Sequence, residues 1–415
     1  MMSVRDESYE AHEHSLERAP RASEIVESNR EAHNARQCAV FDEKTAEEFD
    51  GRPLVEEVRE KLVRIAEEAT KKSSSLRILD VGAGSGALAA LYGSNHKVTC
   101  IDLSKAMIER VAQKGFDVWQ GDIIDYPESW FSEELEAFDV AVFNACFGNV
   151  FDQTAALNAA AEVVKPGGHI VVAHPLGADF VEDLHVRDPT VVRHKLPRSR
   201  DQMATLLKGE TLFTRFLKPA YIVDEADFYV SVYDRLRVAP LHRCLAVRGP
   251  VQRGYGRGSK KLGFPTANLP EGLGFQDALS TLPNGVYTCY AMVGDEETVY
   301  EAVANVGFSP TFAGAENPTK IIEAYLIDRQ HNKDFYDQPL SLFLIAFQRP
   351  ERKWPSFDAL VKNIRNDVHI AHTVLQHDPH LQQLKNHPAF RSTMQDPKDP
   401  SVLVNWVDLD DHQKA

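Results

Sequence analysis

Cysteine is scarce in this chain and poorly placed for cross-linking. The five residues Cys38, Cys100, Cys146, Cys244 and Cys289 are odd in number and never in C-x-x-C spacing. That excludes a disulfide scaffold and a zinc ribbon, and it points to a reducing compartment. Long apolar runs are missing as well: no stretch approaches the roughly 20 residues of a membrane span. The first residues lack the apolar core of a secretion signal, and their acids disfavour a transit peptide. Positive charge is in deficit, with 46 Lys and Arg against 61 Asp and Glu. A general nucleic-acid binder needs the opposite balance to displace counterions. The absences predict a cytoplasmic protein with neither nucleic acid nor membrane as partner. A Walker A loop is also absent, since G-x-x-x-x-G-K-[ST] occurs nowhere.

What is present divides the 415 residues into two or three domains. Residues 1–44 are polar and predicted to be disordered or a loose helix. A domain over 45–240 opens with an amphipathic helix whose Leu54, Val58, Leu62 and Ile65 recur at helical intervals. Leu76 to Gly86, LRILDVGAGSG, then reads as strand, glycine turn and a helix from Ala87. Asp80 ends the strand, and Gly82, Gly84 and Gly86 let the backbone approach a ligand. A second strand, Val98 to Ile101, ends in Asp102, a carboxylate suited to the two hydroxyls of a ribose. By itself the glycine spacing fits a dinucleotide fingerprint equally well. Asp122 after a third strand, a fourth strand at 138–143 and the turn at 164–168 complete the succession.

That succession, over roughly 74–175, resembles the class I S-adenosylmethionine-dependent methyltransferases, an α/β doubly wound, Rossmann-like fold. The resemblance implies that Asp80 and the loop Gly82–Gly86 lie by the methionine part of S-adenosylmethionine. It also implies that Asp102 binds the ribose and Asp122 contacts the adenine. The methyl acceptor is not legible. Asn144, Asn149 and His174 either position or deprotonate it, or serve as loop hydrogen-bonding and capping residues. Helical patterns at Gln202–Leu207 and Glu225–Leu236 suggest a lid over 178–238.

From Arg243 the rhythm changes to short strands and turns. Arg248 to Lys261 holds five basic residues and no acid in a chain of formal charge -15, a local field suited to phosphate. Glycines at 254, 256, 258 and 263 can bring N–H groups to an anion. Thr266 and Asn268, two apart, project to one side of an extended segment and offer oxygens of the kind Mg²⁺ takes. The stretch GYGRGSKKLGFPTANLP is similar to the signature of riboflavin kinase, and the likeness runs from about 243 to 375. It implies an all-β antiparallel barrel with a C-terminal helix over 241–379, followed by a mobile tail at 380–415.

The riboflavin kinase resemblance also implies site roles. Gly254 and Lys260 contact ATP phosphate, Thr266 and Asn268 bind Mg²⁺, and Tyr336 and Arg349 match further family positions, Arg349 near the flavin. Glu323, an acid in the strand KIIEAYL, falls at the position of the catalytic base. From pattern alone it would be a solvent-facing strand residue. Before Arg349 the family commonly has leucine, and here stands Gln348. The chain lacks the H-x-G-H motif of an adenylyltransferase and the D-x-D-x-[TV] loop of a fused phosphatase. The expectation is a riboflavin kinase, converting riboflavin and ATP to FMN and ADP, fused to a methyltransferase of unknown acceptor. The alternative is a flavin- or nucleotide-binding sensory protein on a silent scaffold.

Overall fold

The computed structural model of the chain describes residues 29–51, 54–127, 137–208, 213–253, 263–270, 273–294, 296–310, 316–329, 334–354, 356–394 and 402–408. It divides into two compact units, with the boundary between Leu236 and Arg237.

In the first unit, α1 (Arg30–Val40), α2 (Glu43–Gly51) and α3 (Glu56–Thr70) lead into β1 (Arg77–Val81). There follow β2 (Lys97–Asp102), α4 (Lys105–Gln113), β3 (Asp117–Gln120), β4 (Phe138–Asn144), α5 (Gln153–Val163) and β5 (Val164–His174). The unit ends with α6 (Gly177–Arg187), α7 (Arg200–Leu206), β6 (Leu217–Glu225) and β7 (Phe228–Arg235). The strand order is β3-β2-β1-β4-β5-β7-β6. The first five strands are parallel, and β7 runs antiparallel to both of its neighbours. One face is covered by α3, whose buried Val58, Leu62, Ile65, Ala66 and Ala69 recur at helical spacing. These residues pack with Ile78, Cys100, Val140 and Val171 of the strands. Each fully buried Val, Leu or Ile contributes about 1.5–3 kcal/mol. Strand order reverses between β1 and β4, and in such sheets the crevice outside the strand C-termini there takes the ligand.

Three sequence expectations differ from this unit. Of the segment 1–44, expected to be disordered or a loose helix, Arg30–Val40 is helix, started by Asn29, whose side chain accepts from the Glu31 N–H. The helix expected from Ala87 is a single 3₁₀ turn, Ala89–Leu91. The expected helix over Glu225–Leu236 is strand β7. Its residues are buried on both faces, so no alternation distinguished it from a buried helix. With β6 and β7 in the main sheet, the lid expected over 178–238 is not one element.

The second unit holds β8 (Ala239–Pro250), β9 (Ala267–Asn268), α8 (Leu273–Ser280), β10 (Gly285–Val293), β11 (Tyr300–Pro310), β12 (Glu316–Leu326) and β13 (Pro339–Pro350). Then come α9 (Phe357–His377), α10 (Pro379–Gln383), α11 (Pro388–Arg391) and β14 (Leu403–Asp408). The sheet is antiparallel, in the order β14-β8-β13-β10-β11-β12-β9. Among the described residues, β9 also meets the chain just after β8 through a bridge, where the Gln252 N–H donates to the Asn268 carbonyl at 2.8 Å. Helix α9 starts at Ser356, whose hydroxyl accepts from the Ala359 N–H, and it buries Ile370, Ala371, Val374 and Leu375. The tail expected to be mobile is partly folded. Phe390 stacks on Phe343 with ring centroids 5.2 Å apart, and β14 pairs along β8. Proline-rich punctuation hid short elements there that only tertiary contact stabilises. Among the described residues, no helix is long and apolar enough to cross a membrane.

Candidate functional site

Predicted residues fall in both units, some of them in one place and some not. In the first unit a cavity of about 260 Å³ opens where the strand order reverses. Gly82 and Gly84 follow β1, Asp102 ends β2, Asp122 follows β3, and all four line the cavity. The glycines are required by geometry. Gly82 has φ +64°, and a Cβ there would lie 2.5 Å from the Cβ of Cys146. Gly84 has φ +55° with open space where its Cβ would stand, so a ligand can approach its backbone. Gly86, at φ +84°, packs against Val111. The Asp102 carboxylate accepts from the Gly84 and Ser104 N–H groups, each at 2.9 Å, and so ties the glycine loop to β2. Burial pushes the Asp102 carboxyl up, and these N–H donors pull it partway back. A carboxylate has about four acceptor sites, so it retains capacity for a diol.

Asp80 differs from these residues. It is 1% exposed, its Oδ2 has no hydrogen-bond partner, and it stands behind the loop rather than in the cavity lining. Burial, with the Asp102 charge second, pushes its carboxyl up to about 7. The Asp122 carboxylate accepts from the Asn34 side-chain amide at 2.9 Å. Asn34 lies on α1, as does Gln37, whose side chain donates to the Val191 carbonyl and accepts from Asn149. Sequence reading missed α1 as a cavity wall; its amphipathic polar residues look like solvated surface until the cavity is known. Asn144 and Asn149 both line the cavity. His174 does not, and its Nδ1 accepts from the Leu176 N–H at 3.2 Å, a local loop hydrogen bond.

In the second unit, strand register does the assembling. Asn268 of β9 stands opposite Glu323 of β12, Glu323 opposite Asn305 of β11, Asn305 opposite Val286 of β10, and Val286 opposite Arg349 of β13. Directly opposed residues share a face, so Asn268, Glu323, Asn305 and Arg349 form one row across five strands. Thr266 stands two residues before Asn268, just outside β9. In the row, Glu323 is flanked across the sheet by two carboxamide positions. Asn305 donates to Glu351 at 2.8 Å, a pair that sequence reading missed because it links residues 46 apart.

Arg349 makes a bidentate pair with Asp367 of α9, at 2.8 and 2.6 Å. Burial pushes the Asp367 carboxyl up, and Arg349 draws it back down. Gln348, the departure from the family pattern, is buried and donates to Thr288 Oγ1 and to the Asp367 carbonyl. Its polarity thus anchors α9 beside Arg349. Removing one partner of a buried ion pair strands the other, so Asp367→Ala is expected to lower stability by about 3 kcal/mol, read by denaturant unfolding of the full chain. An unchanged midpoint would show that the pair holds nothing. Arg253 lies over the Tyr336 ring, 4.7 Å from its centroid. Gly254 and Lys260 lie outside the described residues.

Fold and sites define a chain of two units: a doubly wound domain with a glycine loop and paired acids, and an antiparallel β domain with an acid between two asparagines. The family model "Riboflavin kinase" matches residues 241–375, and "Methyltransferase domain" matches 52–212. The riboflavin kinase of Mus musculus is 34% identical over 144 residues, which is 35% of this chain and 88% of the relative. That of Homo sapiens is 34% identical over 32% of this chain and 83% of the relative. The crystal structure of riboflavin kinase from Trypanosoma brucei is 26% identical, covering 40% of this chain and 94% of the other, at a TM-score of 0.31. The chain belongs to the riboflavin kinase family, and the match to the methyltransferase domain model lies N-terminal to the matched kinase region.

Proposed function

We propose that Glu323 is the base of the kinase: it orients the 5′-hydroxyl of the ribityl chain and takes its proton as the oxygen attacks the γ-phosphoryl group of ATP. The new O–P bond forms FMN as the bond to the β-phosphate oxygen breaks and ADP leaves. The row Asn268–Glu323–Asn305–Arg349 is the observation that carries this reading. Thr266 and Asn268 offer hard oxygen donors beside that acid, a set that fits Mg²⁺ sharing its shell with phosphates and water. Bound there, the ion supplies neutralisation of the charge moving on the phosphoryl oxygens. Gly254 and Lys260 would contact ATP phosphate. Arg349 and Tyr336 would hold the flavin side, with Asp367 fixing the Arg349 guanidinium.

In the methyltransferase domain, Gly82, Gly84 and Gly86 would receive S-adenosylmethionine, Asp102 its ribose and Asp122 its adenine, with Asp80 supplying negative charge behind the methionine part. A cytoplasmic setting without nucleic-acid or membrane partners fits the acidic charge. The test is mass spectrometry of the products from purified full-length protein given riboflavin, ATP, Mg²⁺ and S-adenosylmethionine. FMN is expected. Its absence would overturn the kinase reading and leave a flavin-binding protein.

A further inference from the structure

The kinase face carries a second acid that the reading above leaves unused. Glu351 follows the last residue of β13, and its N–H donates at 3.4 Å to the Asn284 carbonyl, just ahead of β10. Its side chain reaches on to β11, where Glu351 Oε1 accepts from the Asn305 amide at 2.8 Å. Asn305 stands opposite Glu323, and Gly307 stands opposite Ile321. Residues two apart on a strand share a face, so these four positions project one way. Gly307 places the Glu351 carboxylate on that same face. A Cβ on Gly307 would overlap Oε1 and lie 2.5 Å from Oε2. The φ of Gly307 is not positive, so glycine is needed there for room and not for conformation. The carboxylate fills the place of the missing side chain and stands diagonally from Glu323, at about the 7–8 Å spacing of diagonal neighbours.

Glu351 is exposed, while Asn305 and Glu323 are half-buried, so a ligand can reach this part of the face. Among the described residues the Glu351 side chain accepts from Asn305, which leaves most of the roughly four acceptor sites of a carboxylate. The phosphates of ATP carry its own sign and are repelled. Hydroxyl donors suit it, and riboflavin brings a chain of them. Arg349, two residues before Glu351, is the side chain that the reading above puts at the flavin. We propose that Glu351 is a specificity-determining residue of the kinase, its carboxylate accepting hydrogen bonds from the inner hydroxyls of the ribityl chain. Those bonds hold the chain along the row, so that the 5′-hydroxyl arrives at Glu323. This rests on the reading of Glu323 as the group that meets that hydroxyl. No bond to Glu351 is made or broken in the transfer.

The test uses full-length protein with ATP, Mg²⁺ and two flavins: riboflavin, and a flavin whose N10 chain is 5-hydroxypentyl. The second keeps the terminal hydroxyl and lacks the inner ones. The wild type is expected to favour riboflavin in kcat/KM by at least about 100-fold. Glu351→Ala should lower kcat/KM for riboflavin by about 10–100-fold, the worth of hydrogen bonds to a charged group. It should leave the hydroxypentyl flavin nearly unchanged, so the preference shrinks. Glu351→Gln, which still accepts through its amide oxygen, should restore part of it. ATP affinity by calorimetry should stay the same. Where turnover of the analogue is too slow to read, flavin affinities by fluorescence titration give the same comparison. An equal loss on both flavins, or a loss of ATP affinity, would mark a structural role and overturn the proposal. Unchanged riboflavin kinetics in Glu351→Ala, or a wild type indifferent to the inner hydroxyls, would overturn it as well. Turnover near wild type in Glu323→Gln would instead overturn the base reading, and no product from either flavin would overturn the kinase reading.

Discussion

Glu323→Gln is expected to lower the rate of FMN formation by about 10²–10⁴-fold, the usual worth of a positioned general base, while ATP affinity changes little. Glutamine keeps the volume and can still hydrogen-bond within the row between Asn268 and Asn305, so β12 and its register survive. What is lost is the lone acceptor able to take a proton from the attacking hydroxyl. Steady-state kinetics by chromatography of FMN, paired with calorimetric titration of ATP, separates the two effects. Turnover near wild type would remove Glu323 from the chemistry. A parallel loss of ATP binding would mean that it holds the nucleotide instead. Much of the acceleration in phosphoryl transfer comes from alignment and neutralised charge, so a residual rate above background is expected and does not count against the role.

The kinase residues were legible through resemblance. Thr266 and Asn268 fall in the matching stretch GYGRGSKKLGFPTANLP, and Glu323, by pattern a solvent-facing strand residue, falls at the position of the family's base. The pairs that hold these residues in place were not legible. Asn305 with Glu351 and Arg349 with Asp367 join separate elements, and no local pattern reports a long-range contact. Gln348 reads as a flaw in the motif until its two buried hydrogen bonds are seen. In the first unit, glycines and strand-end acids marked the crevice, because backbone approach and strand termination leave residue-type signatures. Helix α1 left none. Its mean hydropathy is low, and Asn34 and Gln37 face a cavity whose existence depends on the whole sheet. Strand β7 was misread for the related reason that burial on both faces erases the two-residue period.

Asp80→Asn is expected to stabilise the ligand-free protein above neutral pH while weakening its hold on S-adenosylmethionine. The wild-type carboxyl sits at about 7 because burial and the Asp102 charge disfavour its anion. Its folded value therefore lies above its unfolded one, and the folded state keeps a proton that the unfolded state has already released. Stability must then fall as pH rises from about 4 to about 7, by roughly 4 kcal/mol in all. Asparagine removes that slope. His169 contributes with opposite sign: burial first, then Lys72, lowers its folded value to about 4, so stability rises between about 4 and 6.5 as the unfolded imidazole loses its proton. The two terms partly cancel in the wild type. The informative quantity is therefore the difference between wild type and Asp80→Asn, followed by thermal unfolding of the full chain across pH 4–8. That difference should grow in favour of the variant up to about pH 7 and then level off. A cationic sulfonium and ammonium arriving in front of Asp80 would favour its anion, so wild-type binding near pH 7 should release a fraction of a proton, seen as a buffer-dependent binding heat. The variant should release none and bind about 10–100-fold more weakly, as loss of one partly desolvated charge pair predicts. A pH–stability difference that stays flat would show that Asp80 titrates in the folded chain as it does in the unfolded one. Unchanged cofactor affinity would place the methionine cations elsewhere in the cavity.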